Sequence, residues 1–532
     1  MNKGSKFSMF LIGFYVFAAV STLVSLNIGI FWLNSALILI SSIFIAFLLI
    51  RKTKIKFEIP NSVWALSLLM MLISAFPLLF LHPFYDASAD PAQTIILRAL
   101  KDKIPQTFEP YSNLSFSYQF GFQLFVKQFN DLLPILPDYF YNWLFGVIFM
   151  GLLPVLAYFL VKQITENTNA GLVSAAVLFG AKTIFRDSLL GSYGVILGLN
   201  FLILTIIMIH RNSKLKFLFF PVVFALHPGI AILLLIFLFI YFFFYKEKIK
   251  ENLILPLSLF LVLPALFINY PVLGSGALNQ LKISFENILS TAIAIPFWIG
   301  LFPMLLLLAA FLLFFKNMKK VKKEKLFFLI TFALPVTLFA LMRLAGLGMF
   351  YTSKFFELVN IGVAGFVGLV ITEKKPKKLS IAVLVICIVF FGTITSSFFS
   401  GELIKYRMGS KITKEEYNFA LEFYKMDSRL ERVFIASKNS AKIAEYSNKI
   451  PFDPMQGWFL PYDEIQVRQD QGYKELIMKH EQTEKILTEK CTACLYKLDV
   501  KYVIINKKDF DWELKKELLI FSDKNFEVYK LR

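Results

Sequence analysis

The stretch His82–Asp138 reads HPFYDASADPAQTIILRALKDKIPQTFEPYSNLSFSYQFGFQLFVKQFNDLLPILPD. It carries Asp86, Asp90, Asp102, Glu109, Asp131 and Asp138 between two runs that are apolar enough to dissolve in lipid. Lipid cannot satisfy the backbone of an irregular polar segment, so such a stretch belongs in water or in a protein-lined cavity. Long connections without a function of their own are uncommon. The stretch is therefore read as a polar outer loop and as one wall of an active site.

The rest of the chain is the medium around that loop. Of its 532 residues, 57% are hydrophobic, 61 are Phe, and the mean hydropathy is +0.64. Charged residues make up 17%, against about 25% in ordinary soluble domains, and they fall in short clusters. This is the composition of a polytopic α-helical membrane protein. The formal charge of +19 comes from Lys and Arg bunched in short connectors, as the positive-inside rule requires of cytoplasmic loops. That distribution speaks for topology and against a nucleic-acid partner.

A spanning helix needs about 20 mainly apolar residues. Runs at Phe7–Leu26, Ile28–Ile50, Val63–Leu81 and Tyr139–Val161 fit, and the acidic loop falls between the last two. Further runs follow at Ala170–Phe185, Gly194–Ile209, Phe217–Leu226, Gly229–Tyr245, Asn252–Ile268, Ile288–Phe315, Leu326–Leu341, Leu358–Thr372 and Leu379–Phe399. They amount to about thirteen spans, with the basic clusters on one side. This puts the N-terminus in the cytoplasm and the acidic loop outside. Lys3 and Lys6 precede an apolar run as in a signal peptide, but no small-x-small cleavage site follows, so the first run is expected to stay as a span.

From about Gly401 onward Lys and Glu mix nearly evenly. Arg432–Ala436, Val500–Ile505 and Phe526–Lys530 read as strands, and Ala441–Tyr446, Tyr473–Leu498 and Trp512–Leu519 as helices. Alternation of this kind predicts a small extracytoplasmic α/β domain over residues 401–532, beside a membrane domain over 1–400.

Several local sequences resemble those of the GT-C superfamily of membrane glycosyltransferases. Asp90-Pro91-Ala92-Gln93 followed by Arg98 is similar to the D-P-x-x-x-x-x-x-R run in the first outer loop of oligosaccharyltransferase catalytic subunits. Arg186-Asp187-Ser188-Leu189-Leu190-Gly191-Ser192-Tyr193-Gly194 resembles their R-S-x-x-G-S-Y-D segment, with Gly194 where the acidic residue would stand. Met342-Arg343-Leu344 is similar to the segment whose arginine meets the lipid-linked phosphate. The W-W-D-Y-G acceptor motif is absent. The resemblance implies an inverting transferase that moves a sugar from a polyprenyl-phosphate-linked donor to a glycan, lipid or protein acceptor at the outer face of the plasma membrane.

The chemistry assigns expected roles. A base removes the acceptor proton as the new bond forms, and Asp90, with Asp86 beside it, is the candidate. Arg98, Arg343 and Lys354 lie on the correct side to stabilise charge on the departing phosphate. Asp187 is a substrate or metal candidate. His227, ahead of Pro228 in a broken span, is a candidate for lining the donor pocket. Asp86 and Asp90 are spaced D-x-x-x-D and no D-x-D occurs in the loop, so a divalent cation, magnesium or manganese, is neither required nor excluded.

Each residue also has a plainer reading. Asp90 caps a helix begun by Pro91, Asp187 pairs with Arg186, His227 packs between helices, and Arg343 snorkels to the interface. Cys491 and Cys494 form either a local disulfide or a pair of free thiols. The alternatives to a transferase are a flippase or transporter of a lipid-linked saccharide, and a non-catalytic membrane scaffold with an outer binding domain.

Overall fold

The computed structural model describes residues 3–28, 32–52, 59–80, 97, 100, 121–133, 138–181, 183, 193–263, 295, 299–316, 321–344, 354–373, 378, 381–382, 384–390, 392, 412–453, 471–512 and 514–531. The chain divides into two compact units, one of Met1–Ala75 with Ser117–Ile404, the other of Phe76–Phe116 with Lys405–Arg532.

The first unit is helical. Its helices are α1 (Lys3–Ile28), α2 (Trp32–Lys52), α3 (Asn61–Phe80), α4 (Gly121–Leu132), α5 (Asp138–Thr165), α6 (Thr168–Phe179) and α7 (Tyr193–His210), followed by α8 (Lys216–Leu226), α9 (Pro228–Phe244), α10 (Leu301–Lys316), α11 (Lys323–Leu344) and α12 (Phe355–Thr372). Among the described residues five helices are long and apolar enough to cross a membrane, or six if the bent pair Pro228–Phe244 and Lys246–Asn252 counts as one. Shorter apolar helices include Asn61–Ala75, Thr168–Phe179 and Leu301–Lys316.

Close approach of these helices rests on small residues, which let backbones come together where lipid offers no hydrophobic gain. A Cβ on Gly362 would stand 2.5 Å from the Phe332 amide nitrogen, which fixes α12 against α11. Ser174 of α6 donates to the Ala364 carbonyl of α12 at 2.8 Å. Asn200 of α7 donates to the Phe149 carbonyl of α5 at 2.9 Å.

Two expectations change here. The stretch 82–138 is not a loop throughout, because 121–132 forms a helix with its apolar face buried. Ser21 of α1 donates to Gln128 Oε1 at 2.6 Å, and Gln128 donates to Ser25 Oγ at 2.5 Å. Phe125 packs edge-on to Phe14 and Phe145. Among the described residues of the segment, Gln128 and Asp131 are satisfied internally, Asp131 by Lys127 at 2.5 Å. In the second case, the described part of Asn252–Ile268 is a series of short 3₁₀ turns through Leu255–Val262 rather than a straight α-helix. The short segment that leads into it, Lys246–Asn252, is bent by 114° from α9.

The second unit holds α13 (Lys414–Met426), β1 (Arg432–Ala436), α14 (Ser440–Tyr446), β2 (Ile450–Pro451), α15 (Gln471–Glu489), α16 (Thr492–Tyr496), β3 (Tyr502–Asn506), β4 (Leu519–Ser522) and β5 (Phe526–Lys530). Its sheet runs β2-β1-β3-β5-β4. β1 pairs in parallel with β2 and with β3, while β5 is antiparallel to β3 and β4. β3 is central and buried along its whole length, which is why YVIIN reads as continuously apolar until its last residue.

The expected helix Tyr473–Leu498 is two helices, broken where Lys490 takes a left-handed φ of 48° and Cys491 caps the second. The expected helix Trp512–Leu519 is a 3₁₀ turn, Lys516–Leu518, leading into β4. Pairing with β5 outweighs its helical pattern.

Candidate functional site

Pro228 decides the local backbone. The residue before a proline is pushed toward extended geometry, and proline suits the first position of a helix. His227 is accordingly extended (φ −160°, ψ 117°) and serves as both the last residue of one helix and the cap of the next. Its amide donates to the Val223 carbonyl at 3.1 Å, and its carbonyl accepts from Ala231 at 3.0 Å. The side chain completes the cap: Nδ1 accepts the Ile230 amide hydrogen at 3.3 Å.

Lys354 belongs to the same place. A Cβ built on Gly229 would lie 3.0 Å from His227 Cε1, 3.1 Å from Nδ1 and 3.8 Å from Lys354 Cγ. The imidazole and the lysine stem thus flank one glycine in the first turn of α9. Lys354 opens α12, its carbonyl accepting from the Glu357 amide at 3.0 Å, and Glu357 is buried one turn on. A turn deeper, Asn360 Nδ2 donates to Thr183 Oγ1, while Asn360 Oδ1 is buried with no hydrogen-bond partner among the described residues.

The surrounding walls are close-packed. A Cβ on Gly121 would stand 2.5 Å from the Ala225 carbonyl oxygen, so the start of α4 rests directly on the end of α8. Tyr193, first residue of α7, packs on Phe122 with ring centroids 5.7 Å apart. A Cβ on Gly194 would stand 3.6 Å from the Leu226 carbonyl oxygen and 3.8 Å from Phe122 Cβ. A carboxylate there would lie against a carbonyl oxygen and an aromatic side chain, an unfavourable setting for a charge. Glycine at this position suits its surroundings.

Of the residues singled out from the sequence, His227 and Lys354 are brought together. Arg343 is the penultimate residue of α11, and the description there extends to its backbone. Asp86, Asp90, Arg98 and Asp187 lie outside the described residues. Among the described residues no three His, Cys, Asp or Glu side chains gather as metal ligands. Sequence reasoning passed over Glu357 and Asn360. Their signal was present as polar residues in the apolar run FFELVNIGVAGFVGLV, where such residues are costly and commonly functional.

In the second unit a polar node sits at the carboxyl ends of the parallel strands β1 and β3. Glu416 Oε2 accepts from the Thr413 amide at 2.7 Å and Asn439 at 2.8 Å, and Oε1 accepts from Asn506 at 3.2 Å. Asp509 Oδ2 accepts from Ser437, the Lys438 amide and Asn506, each at 3.1 Å. Glu416 is consumed in joining α13 to the sheet, and Asp509 in joining the ends of β1 and β3.

At the opposite end of the strands, Asp427 is held well below the usual carboxylate range. The Arg429 guanidinium is the main cause and the Tyr502 hydroxyl a further one, against the opposing effect of burial. Burial pushes the Lys449 ammonium down to about 8. Its Nζ donates to the Asp427 and Arg429 carbonyls, the latter at 2.7 Å.

The long apolar helices and the small mixed sheet make this a helical membrane protein that carries an α/β unit. It is similar to the crystal structure of the Archaeoglobus fulgidus oligosaccharyltransferase tethered with an acceptor peptide containing the NVT sequon via a disulfide bond. The identity is 12%, with 84% of this chain and 69% of that chain covered and a TM-score of 0.39. No family model and no curated protein matches the chain.

Proposed function

We propose that the protein is an integral-membrane glycosyltransferase, transferring a sugar with inversion from a polyprenyl-phosphate-linked donor to an acceptor at the outer face of the membrane. The observation that carries this reading is the meeting of the His227 cap, the N-terminus of the 17-residue helix α9 and the stem of Lys354 at one glycine. A helix N-terminus beside a lysine favours an anion, and a break in an apolar helix is tolerated where it lines a cavity. A lipid-linked phosphate is the anion that a membrane-embedded site of this kind would meet.

In this reading the phosphate leaves toward the α9 N-terminus, with Lys354, Arg343 and Arg98 stabilising the charge that develops on it. Asp90 takes the acceptor proton, and Asp86 and Asp187 assist in holding substrate or a divalent cation. The N-terminus is cytoplasmic, and residues 401–532 form the outer domain. The motif matches at Asp90–Arg98 and Arg186–Tyr193 support the same class, and the missing W-W-D-Y-G motif favours an acceptor other than the sequon asparagine.

The test uses the full chain in liposomes, supplied with polyprenyl-phosphate and polyprenyl-diphosphate sugars, with products read by mass spectrometry. A new glycosidic bond that disappears in Asp90→Asn, while the variant expresses and unfolds normally, is the expected result. Movement of the donor across the bilayer without a new bond would overturn the assignment in favour of a flippase. Full transfer by Asp90→Asn would remove Asp90 as the base.

A further inference from the structure

The C-T-A-C sequence at the junction of α15 and α16 plays no part in the transfer chemistry, and its geometry differs from that of a structural staple. Cys491 and Cys494 are disulfide-bonded with Cα atoms 5.2 Å apart and only two residues between them in sequence. The stabilisation a cross-link takes from restricting the unfolded chain rises with the logarithm of loop length, so a four-residue loop stands at the bottom of that range. The core beside it is built from Ile486, Leu495, Leu498, Val503 and Trp512, and holds together through residues on both sides of the bond.

The two sulfurs are not equivalent. Both cysteines are partly exposed, but Cys494 packs against that core while Cys491 does not. Cys491 Sγ accepts the Cys494 amide hydrogen at 3.2 Å, a bond that would also support a thiolate. Lys490 and Lys497 are exposed on either side, with Glu489 the acidic neighbour in sequence. Partial exposure and nearby cations are the setting in which cysteines react.

We propose that Cys491–Cys494 is an exchangeable redox site whose partner is a dithiol. A partner thiolate attacks Cys491 Sγ, the bond to Cys494 breaks, and the electron pair leaves on Cys494 Sγ, which takes a proton from water. The partner's second thiolate then attacks the mixed disulfide, forming the partner's own disulfide and releasing Cys491 as a thiolate. Two electrons pass from the dithiol to the cysteine pair. In reverse, Cys491 is the nucleophile and Cys494 the resolving thiol.

The test treats the folded full chain in detergent with dithiothreitol, then alkylates it and reads the Cys491–Cys494 peptide by mass spectrometry. Cys387, the free cysteine among the described residues, is the internal reference. Reduction of the folded chain within about tenfold of the rate in denaturant, and reoxidation by glutathione disulfide, are expected of an exchangeable pair. Cys494→Ser is expected to capture glutathione at Cys491 at least about tenfold faster than Cys491→Ser does at Cys494. A pair that is reduced only after unfolding overturns the proposal even if neither variant folds. Single variants that react no faster than Cys387 overturn it as well.

Discussion

His227 Nδ1 accepts the Ile230 amide hydrogen at 3.3 Å. In that bond the ring carries its proton on Nε2, and the side chain caps α9 while lying beside the Lys354 stem. His227→Asn preserves an excellent cap, whereas His227→Ala removes it at a cost of about 0.5–2 kcal/mol. Thermal unfolding in detergent is expected to separate the two variants. Under the proposed function both lose sugar transfer by at least about tenfold. Wild-type transfer by His227→Asn would reduce the histidine to a cap.

Gly121 and Gly194 lie on the same packed wall but should respond oppositely to a methyl group. At Gly121 the new Cβ would meet the Ala225 carbonyl at 2.5 Å, a backbone atom that cannot swing away. Gly121→Ala is expected to destabilise by about 1–3 kcal/mol. At Gly194 the nearest atoms stand at 3.6 and 3.8 Å, and Gly194→Ala should be neutral or stabilising by up to about 1 kcal/mol through helix propensity. Melting midpoints of the two variants, measured side by side, check the contrast.

The Asp427 and Lys449 pair gives the second unit a pH dependence with two limbs. Asp427 titrates lower folded than unfolded, so its contribution is present above about pH 4 and is lost as the pH falls toward its folded value. Lys449 titrates near 8 when folded, against about 10.4 unfolded. Between those values the unfolded chain holds more protons, so stability rises with pH. Hydrogen exchange of the β3 peptide, Tyr502–Asn506, should slow between about pH 8 and 10 after correction for the intrinsic rate. Lys449→Met should remove that change, and Asp427→Asn should flatten the acid limb.

Glu416 acts as an acceptor on both oxygens, toward Thr413, Asn439 and Asn506. Glutamine presents an NH₂ where one set of donors points, so Glu416→Gln is expected to be nearly as damaging as Glu416→Ala. Thr413→Ala, which removes the cap alone, should cost about 0.5–2 kcal/mol. Exchange rates in α13 are the readout. A harmless Glu416→Gln would show that the node is less tightly built than its distances imply.

Hydropathy and residue pattern are local properties, and what they control was legible in the chain. The bounds of α5, α9 and α11 and the ends of α2 and α7 follow from where apolar runs meet Lys, Arg or Pro, and β1, β3 and β5 from their branched and aromatic residues. The break at His227-Pro228 is likewise written into the proline. Tertiary structure decided matters that depend on distant partners. Residues 121–132 look like part of a solvated loop until Ser21 and Ser25 are set against Gln128. Leu519–Ser522 becomes a strand because β5 lies beside it, and Tyr473–Leu498 breaks where a disulfide closes. The same holds for the site. His227 and Lys354 stand about a third of the membrane unit apart in sequence, and they meet at Gly229 through the packing of α9 and α12. No local signal encodes that meeting.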